Sequence, residues 1–565
     1  MIRGWDTACP NWAEALVNRQ PIVPTMLLCP QRAERALKIF KRLRLVDVAG
    51  SPRLGEICAP WVFQFVAAIF GAYDDVEKRQ IVREAFLLVA KKNSKSSIAA
   101  GIMVTALIMH TRRQERFTII SPTKDIADNS FDPSRGMIEA DETLSKRFKV
   151  SAVSREIEDR LDGASLSVKA ADADVIGGQK ATAVLIDETW LFGRRSNAEN
   201  VISEATGSLA ARQDGFCIFL SSQSDEPPAG VFRKKLDYHR KVRDGIIRDP
   251  SSLPVLYEFP PSMIDDGSWR SRQNWFIPNP NLGRSVDFDW LVAAATKAEH
   301  EGPDTFRMFC AKHLAIEVGL ALRSDAWGGA DYWEAQADPG LTLEAVIERS
   351  DVICVGCDGG GLDDLLALAV LGRDAETRNW LLWNKTWCHP ICLERRKSEA
   401  PRLLDFAAAG ELVIVDCIGQ DVEEIADLCQ QIDASGKLAT VGLDPVGIGS
   451  IVDALEAKGI SGDRLVAVSQ GWKLAGSIKS TERRLAEGTL IHAGQAIVAW
   501  AVGNAKVEAR GNAIVITKAT AGSAKIDPLM AAFNAVALMS NNPAPIRKPT
   551  FPLFFVGRRR STMPW

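Results

Sequence analysis

Four apolar residues, Ala183-Val-Leu-Ile, run straight into the adjacent carboxylates of Asp187 and Glu188. An unbroken apolar run of strand length suits a strand covered on both faces, the condition of a parallel sheet layered between helices. Such sheets gather their ligands at the carboxyl ends of the strands, where these two acids stand. A second run, Ala85-Phe-Leu-Leu-Val, leads into Ala90-Lys91-Lys92-Asn93-Ser94-Lys95-Ser96-Ser97 and then a helix-like stretch from Ile98 to Met109. Strand, tight loop and helix converge backbone N–H groups and a helix N-terminus on an anion.

On this reading Lys91, Lys92, Asn93, Ser94, Lys95, Ser96 and Ser97 form a phosphate loop. Lys95 reaches the β- and γ-phosphates of ATP and Ser96 holds Mg2+. Asp187 takes the same ion, directly or through water, and Glu188 polarises the attacking water as general base. Ala90 and Ser94 stand where the usual pattern has glycines, and a non-glycine residue at positive φ costs about 1 kcal/mol. Each segment alone also fits a plainer reading, a basic surface loop or an acidic turn. Their order within one alternating domain favours the nucleotide site.

A third strand, Phe216-Cys-Ile-Phe-Leu220, ends in Ser221-Ser222-Gln223, which fits either a γ-phosphate sensor or a polar turn. Upstream, Trp61 and Gln64 offer a ring and an amide for an adenine base, although Trp61 and Phe63 fit a core as well. Arg135, Arg194, Arg195 and Arg212 are candidates for the cation that transition-state phosphate charge requires.

The second half brings its own acids. Val352-Ile-Cys-Val-Gly-Cys delivers Asp358 into a glycine-rich turn followed by Asp363 and Asp364, Asp444 ends the strand-like Ala439-Thr-Val-Gly-Leu, and Asp527 precedes the apolar helix that starts at Pro528. Three carboxylates from separate segments can hold two Mg2+ or Mn2+ ions roughly 4 Å apart for phosphodiester hydrolysis. Singly, Asp527 reads as a helix N-cap and Asp444 as a turn residue. Asp363 and Asp364 fit caps or auxiliary ligands. Lys518 and Lys525 fit DNA contacts, with solvated lysines as the default.

Composition excludes some classes. With 46% hydrophobic and 25% charged residues the chain is of the globular type, and at 565 residues it is too long for one core. A formal charge of −3 confines any DNA contact to local patches. No run of about 18 apolar residues occurs, so no membrane span is expected and a cytoplasmic protein follows. The eleven cysteines suit free thiols. Cys354 and Cys357 fall three apart in a strand and point to opposite faces, and Cys388, His389 and Cys392 fit buried packing better than zinc.

The expected organisation is an α/β ATPase domain with a parallel sheet over residues 1–260, an irregular proline-rich connector over 261–345, a second α/β domain over 346–540, and a mobile or partner-bound tail over 541–565 ending near Arg558-Arg559-Arg560.

From about Gly55 to Met539 the chain resembles the large terminase subunit of tailed bacteriophages. The matching residues are Trp61 to Gln64, the Lys91-to-Ser96 loop, Leu185-Ile186-Asp187-Glu188, Asn279-Pro280-Asn281-Leu282-Gly283, the segments around Asp358, Asp444 and Asp527, and Glu487 to His492 with Asn504. The resemblance implies a P-loop, RecA-like ATPase with Gln64 at the adenine, joined to a ribonuclease-H-like nuclease. It also implies the partners: viral double-stranded DNA, the small terminase subunit and the portal protein of the prohead. The chain would dock transiently on the prohead in the host cytoplasm as a homo-oligomeric ring, a pentamer, with a monomer as the alternative state in isolation. Rival readings are a DNA-dependent ATPase without nuclease activity and a non-enzymatic virion assembly protein.

Overall fold

Every strand-like run of the first half forms a strand, and burial on both faces explains why each is apolar throughout. The structure, a computed structural model, describes residues 5–172, 180–195, 197–317, 327–397, 399–444, 449–510, 513–518 and 525–545. The chain divides into two compact units, Met1–Ser324 with Arg396–Asp405, and Asp325–Arg395 with Phe406–Trp565.

In the first unit β1 (Glu84–Leu88), β2 (Arg116–Ser121), β3 (Phe148–Ser151), β4 (Glu156–Asp159), β5 (Ser165–Ala170), β6 (Ala181–Ile186), β7 (Phe216–Ser221) and β8 (Ser252–Leu256) form one eight-stranded sheet. Its order is β8-β1-β7-β6-β2-β5-β4-β3. The run from β8 to β5 is parallel, and β4 and β3 close the edge antiparallel. Alternation along β1 sends Ala85 and Leu87 to one core and Phe86 and Leu88 to another, on the opposite face. The first of these cores also takes α1 (Pro60–Gly71) through Phe65 and Val66, α2 (Lys95–Ile108) through Ile102 and Met103, and α3 (Lys124–Glu139) through Phe131.

The stretch expected as a separate connector divides between the units. Trp269, Trp275 and Ile277 are buried in the same core as β1, together with Cys310 and Leu314 of α4 (Pro303–Leu314). Leu341, Leu343 and Val346 pack instead into the core of the second unit. Prolines punctuate the 261–317 stretch, but its large apolar side chains need burial, and the sheet's helical layer supplies it.

In the second unit β9 (Ser350–Gly359), β10 (Leu365–Asp374) and β11 (Trp380–Cys388) run antiparallel. The short strands β12 (Leu412–Ile414) and β15 (Leu490–His492) pair parallel to β11. On the other side β13 (Leu438–Leu443) lies parallel to β9, and β14 (Leu465–Ala467) parallel to β13. The helix α5 (Gln420–Ala434) buries Ile425, Cys429 and Ile432 with Ile353 and Val355 of β9. The other face is met by α6 (Asp527–Met539) at very short range. A Cβ on Gly356 would stand 2.2 Å from the Ala531 carbonyl oxygen and 2.4 Å from the Ala535 nitrogen. Asn534 Nδ2 donates to the Cys357 carbonyl at 2.8 Å, tying the helix to the strand at that point. No helix among the described residues is long and apolar enough to cross a membrane.

Because the backbone of α6 occupies the space beside Gly356, Gly356→Ala forces strand and helix apart. Overpacking of this kind costs about 1–3 kcal/mol or more. The expected outcome in thermal unfolding is a lowered transition for the second unit, with the first unit's transition unchanged.

Candidate nucleotide and metal sites

The chain leaves β1 at Leu88 and turns through residues 89–94 into α2. Lys92 (φ 71°) and Ser94 (φ 58°) are left-handed. A residue with a Cβ gives up about 1–2 kcal/mol at each. Ser94 therefore occupies the conformation that favours glycine, as expected. The second such position falls at Lys92 and not at Ala90.

Lys95 opens α2, and its Nζ lies 2.6 Å from Glu188 Oε1. Glu188, just beyond β6, is itself left-handed (φ 51°), and its second carboxylate oxygen accepts from the Trp190 indole N–H at 2.5 Å. Asp187 is fully buried. Its Oδ2 accepts from Ser130 Oγ at 2.7 Å and its Oδ1 from the Glu188 N–H at 2.9 Å. Burial pushes the Asp187 carboxyl above the ordinary carboxylate range, with the Lys95 ammonium pulling against that shift and the Glu188 carboxylate adding to it. Ser130 was not foreseen, since a hydroxyl inside α3, 57 residues upstream of its partner, leaves no local signal.

The sheet order sets β7 between β1 and β6, so Ser221, Ser222 and Gln223 stand between the lysine loop and the acid pair, all buried. Ser221 Oγ accepts from the Trp190 N–H at 3.1 Å. Of the candidate arginines, Arg194 carries its guanidinium 5.0 Å from the Trp190 ring centre and pairs with Asp225. Arg195 donates to the Pro122 carbonyl at 2.5 Å, and Arg135 pairs with Asp132 at 3.1 Å. Arg212 precedes β7 and so falls at the opposite end of that strand from Ser221.

Lysines cluster around the loop, interleaved with Glu188 and Asp225. Lys312 lies with Asp225 Oδ2 at 2.8 Å, and the Lys312 carbonyl accepts from the Lys91 N–H at 2.7 Å. Burial, then Lys312, holds the Lys91 ammonium below the ordinary lysine value. Burial, then Lys91, Lys312 and Lys92, holds His313 at about 4. Clustered ammonium groups over left-handed backbone at a helix N-terminus suit a polyphosphate, and Ser96, Asp187 and the phosphates would supply the oxygen donors that Mg2+ prefers.

Asn279 and Asn281, read from sequence as a turn, instead brace this loop. Asn93 Nδ2 donates to the Ala90 carbonyl at 3.0 Å and to Asn279 Oδ1 at 2.8 Å. Asn281 donates through its backbone N–H to Asn93 Oδ1 at 3.0 Å, and Ser285 Oγ donates to the Lys92 carbonyl at 2.7 Å. Beside the brace is a recess of about 330 Å3 whose lining includes Trp61, Gln64, Tyr257, Phe276, Asn279 and Pro280. Its volume and mixed lining suit a nucleobase. Phe63 turns elsewhere, its ring 6.5 Å from that of Phe40.

In the second unit Asp358 lies at the end of β9 and Asp444 one residue beyond β13. The register pairs Gly356 with Gly442 and Cys357 with Leu443, which sets Asp358 and Asp444 at corresponding positions of neighbouring strands. Asp527 is the first residue of α6, the helix that covers β9, and is buried. Gly359 (φ 92°) and Gly360 (φ 120°) turn the chain away after Asp358 through conformations closed to other residues. Carboxylate oxygens are the donors that Mg2+ and Mn2+ take. Lys525 departs from the solvated default: it is fully buried, its Nζ pairs with Asp364 and lies 3.4 Å from the Asp363 carbonyl. Cys354 and Cys357 are buried along β9. Residues 445–448, the side chain of Lys518 and the arginines at 558–560 lie outside the described residues.

Among the described residues, His110, Asp159 and Asp162 bring one ligand-type atom each within 4.8 Å of one another. Arg147 Nε already lies 2.7 Å from Asp159 Oδ2, which supplies positive charge and disfavours a further cation.

The family model for the terminase large subunit ATPase domain matches residues 60–238, and that for the terminase large subunit endonuclease domain matches residues 265–542. The chain is 21% identical over 483 residues to the terminase large subunit of Lactococcus phage p2, covering 81% of this chain and 83% of that one. It is 22% identical over 504 residues to the terminase large subunit of Enterobacteria phage HK97, covering 88% and 91%. The crystal structure of the HK97 bacteriophage large terminase covers 91% of this chain and 100% of its own, at 19% identity and a TM-score of 0.46. With both family models matched in order over most of its length, the chain belongs to the terminase large subunit family, an ATPase domain followed by an endonuclease domain.

Proposed function

We propose that Lys95, Asp187 and Glu188 carry ATP hydrolysis in the first unit and that Asp358, Asp444 and Asp527 carry DNA cleavage in the second. The chain thereby drives viral double-stranded DNA into a prohead and cuts the concatemer. The observation that supports this best is the 2.6 Å approach of Lys95 to Glu188 beside the buried Asp187, from segments 93 residues apart.

In this reading the Lys91-to-Ser97 loop cradles the phosphates with its backbone N–H groups, and Lys95 neutralises charge on the β- and γ-phosphates. Glu188, held by Trp190, turns from Lys95 toward the attacking water and accepts its proton. Ser130 keeps Asp187 oriented, and Ser96 with Asp187 holds Mg2+, which offsets phosphate charge when bound. Gln64 and Trp61 hold the adenine in the recess. In the second unit the three aspartates hold two Mg2+ or Mn2+ ions, which supply an activated water and stabilise the leaving oxygen when bound. The second acid set separates this reading from an ATPase without nuclease activity, which has no use for it. Partners are the small terminase subunit and the portal, on which the chain acts as a homo-oligomeric ring, a pentamer.

Lys95→Ala is expected to abolish ATP hydrolysis in a phosphate-release assay, whereas Glu188→Gln keeps nucleotide binding and slows turnover by roughly 10²–10⁴-fold, the usual contribution of a general base. The pH profile carries a second signature. Before metal binds, the raised Asp187 carboxyl keeps its proton to higher pH than a free aspartate, so the affinity for Mg2+, read at limiting metal, begins to fall with pH while still above the ordinary carboxylate value. A limb at the ordinary value would contradict this. In the second unit, Asp358→Ala should remove plasmid cutting with Mn2+ or Mg2+ and leave ATP turnover unchanged. Surviving cleavage would remove the nuclease assignment from these aspartates.

A further inference from the structure

Asn281 joins two parts of the nucleotide site that are distant in sequence. It is 6% exposed, and each of its polar side-chain atoms is engaged. Its Oδ1 accepts from the Trp61 indole N–H at 2.8 Å, and its Nδ2 donates to the Asn93 carbonyl at 2.9 Å. Its backbone N–H donates to Asn93 Oδ1 at 3.0 Å, so Asn93 is held at both its main chain and its side chain. Asn93 is fully buried and stands two residues before Lys95, while Trp61 lines the base recess.

The amide has only one workable orientation. Reversed, it would set an NH2 group against the indole N–H and an oxygen against the Asn93 carbonyl, leaving buried donors and acceptors unmatched. Trp61, Asn281 and Asn93 are therefore linked in series, and a displacement of the indole is passed to the backbone of the phosphate loop. Asn279 extends the lattice: it accepts from Asn93 and donates to the Trp275 and His313 carbonyls at 3.0 and 2.9 Å.

We propose that Asn281 is a positioning residue that couples the base recess to the phosphate loop, so that a purine seated against Trp61 sets the loop geometry presented to the triphosphate. This rests on the nucleotide-site reading above. The coupling is directional in chemistry: Trp61→Phe keeps a ring but cuts the link on the base side, and Asn281→Asp keeps the acceptor for Trp61 but loses the donor to Asn93.

The test is a double-mutant cycle on the full chain, reading KM and kcat for ATP. Each single variant is expected to raise KM about tenfold, the factor an ordinary hydrogen bond is worth, with kcat within about twofold. The double variant should be no worse than the worse single, because both cut one series link. Asn281→Asp should also recover toward wild-type KM as pH falls, since a protonated carboxyl regains a donor for the Asn93 carbonyl. Effects that multiply in the double variant, or singles that leave KM unchanged, overturn the coupling. If thermal unfolding shows that Asn281→Asp does not fold, Asn281→Ser takes its place in the cycle. Lys95→Ala run alongside keeps the two levels distinct: retained hydrolysis there defeats the nucleotide-site reading itself, whereas lost hydrolysis with a failed cycle defeats only the coupling.

Discussion

Asp187 is a carboxylate with no access to water, and the first unit is arranged around keeping it there. A charge taken out of solvent costs several kcal/mol unless other groups replace the lost hydration. Here the Ser130 hydroxyl, the following backbone N–H and the nearby Lys95 ammonium do so in part, and burial still holds the carboxyl above its ordinary range. These groups come from α3, from the end of β6 and from the start of α2, and they meet only because parallel strands deliver their polar ends to one edge of the sheet. The position of β7 between β1 and β6 sets the spacing, leaving room for a row of small polar residues between lysine and acids.

The acids proposed for the second unit arrive by a different route. Its sheet is mixed, and the acids come from two parallel neighbours and from a helix laid across them. Gly356 permits the close approach of that helix, so a residue with no side chain governs where Asp527 sits. Lys525 adds a buried cation two residues ahead of Asp527 and ties the Asp363-Asp364 turn to the start of α6. In both units the proposed residues stand on backbone that is itself tightly packed.

Much of this was legible in the sequence because apolar runs ending in charge carry their own context. The strands that lead to Lys95, Asp187, Asp358 and Asp444 are continuous and largely buried, and such patterns survive without tertiary information. What escaped was whatever depends on a partner distant in the chain. Asn279-Pro280-Asn281 reads as a turn, and it is one, but its function as a brace exists only because Asn93 lies beside it in space. Ser130 is an ordinary helical serine until Asp187 is adjacent. The connector shows a related limit: prolines are visible as punctuation, whereas the burial of Trp269 and Trp275 between them is a property of the core they enter. Lys525 reversed its expected role because a lysine reveals nothing of its burial.

In the proposed reading the Lys91-to-Ser97 loop divides two tasks between two kinds of chemistry. Its shape is held by neutral amides and hydroxyls, Asn93, Asn279, Asn281 and Ser285, while its attraction for anions comes from Lys91, Lys92, Lys95 and Lys312. Dissolved ions screen the second and leave the first nearly untouched, since dipolar contacts at hydrogen-bond range act well inside a Debye length of about 8 Å. Rising ionic strength therefore weakens capture of a polyanion without deforming the cradle that receives it, and a motor working in the concentrated electrolyte of a cell keeps its geometry constant while its grip varies.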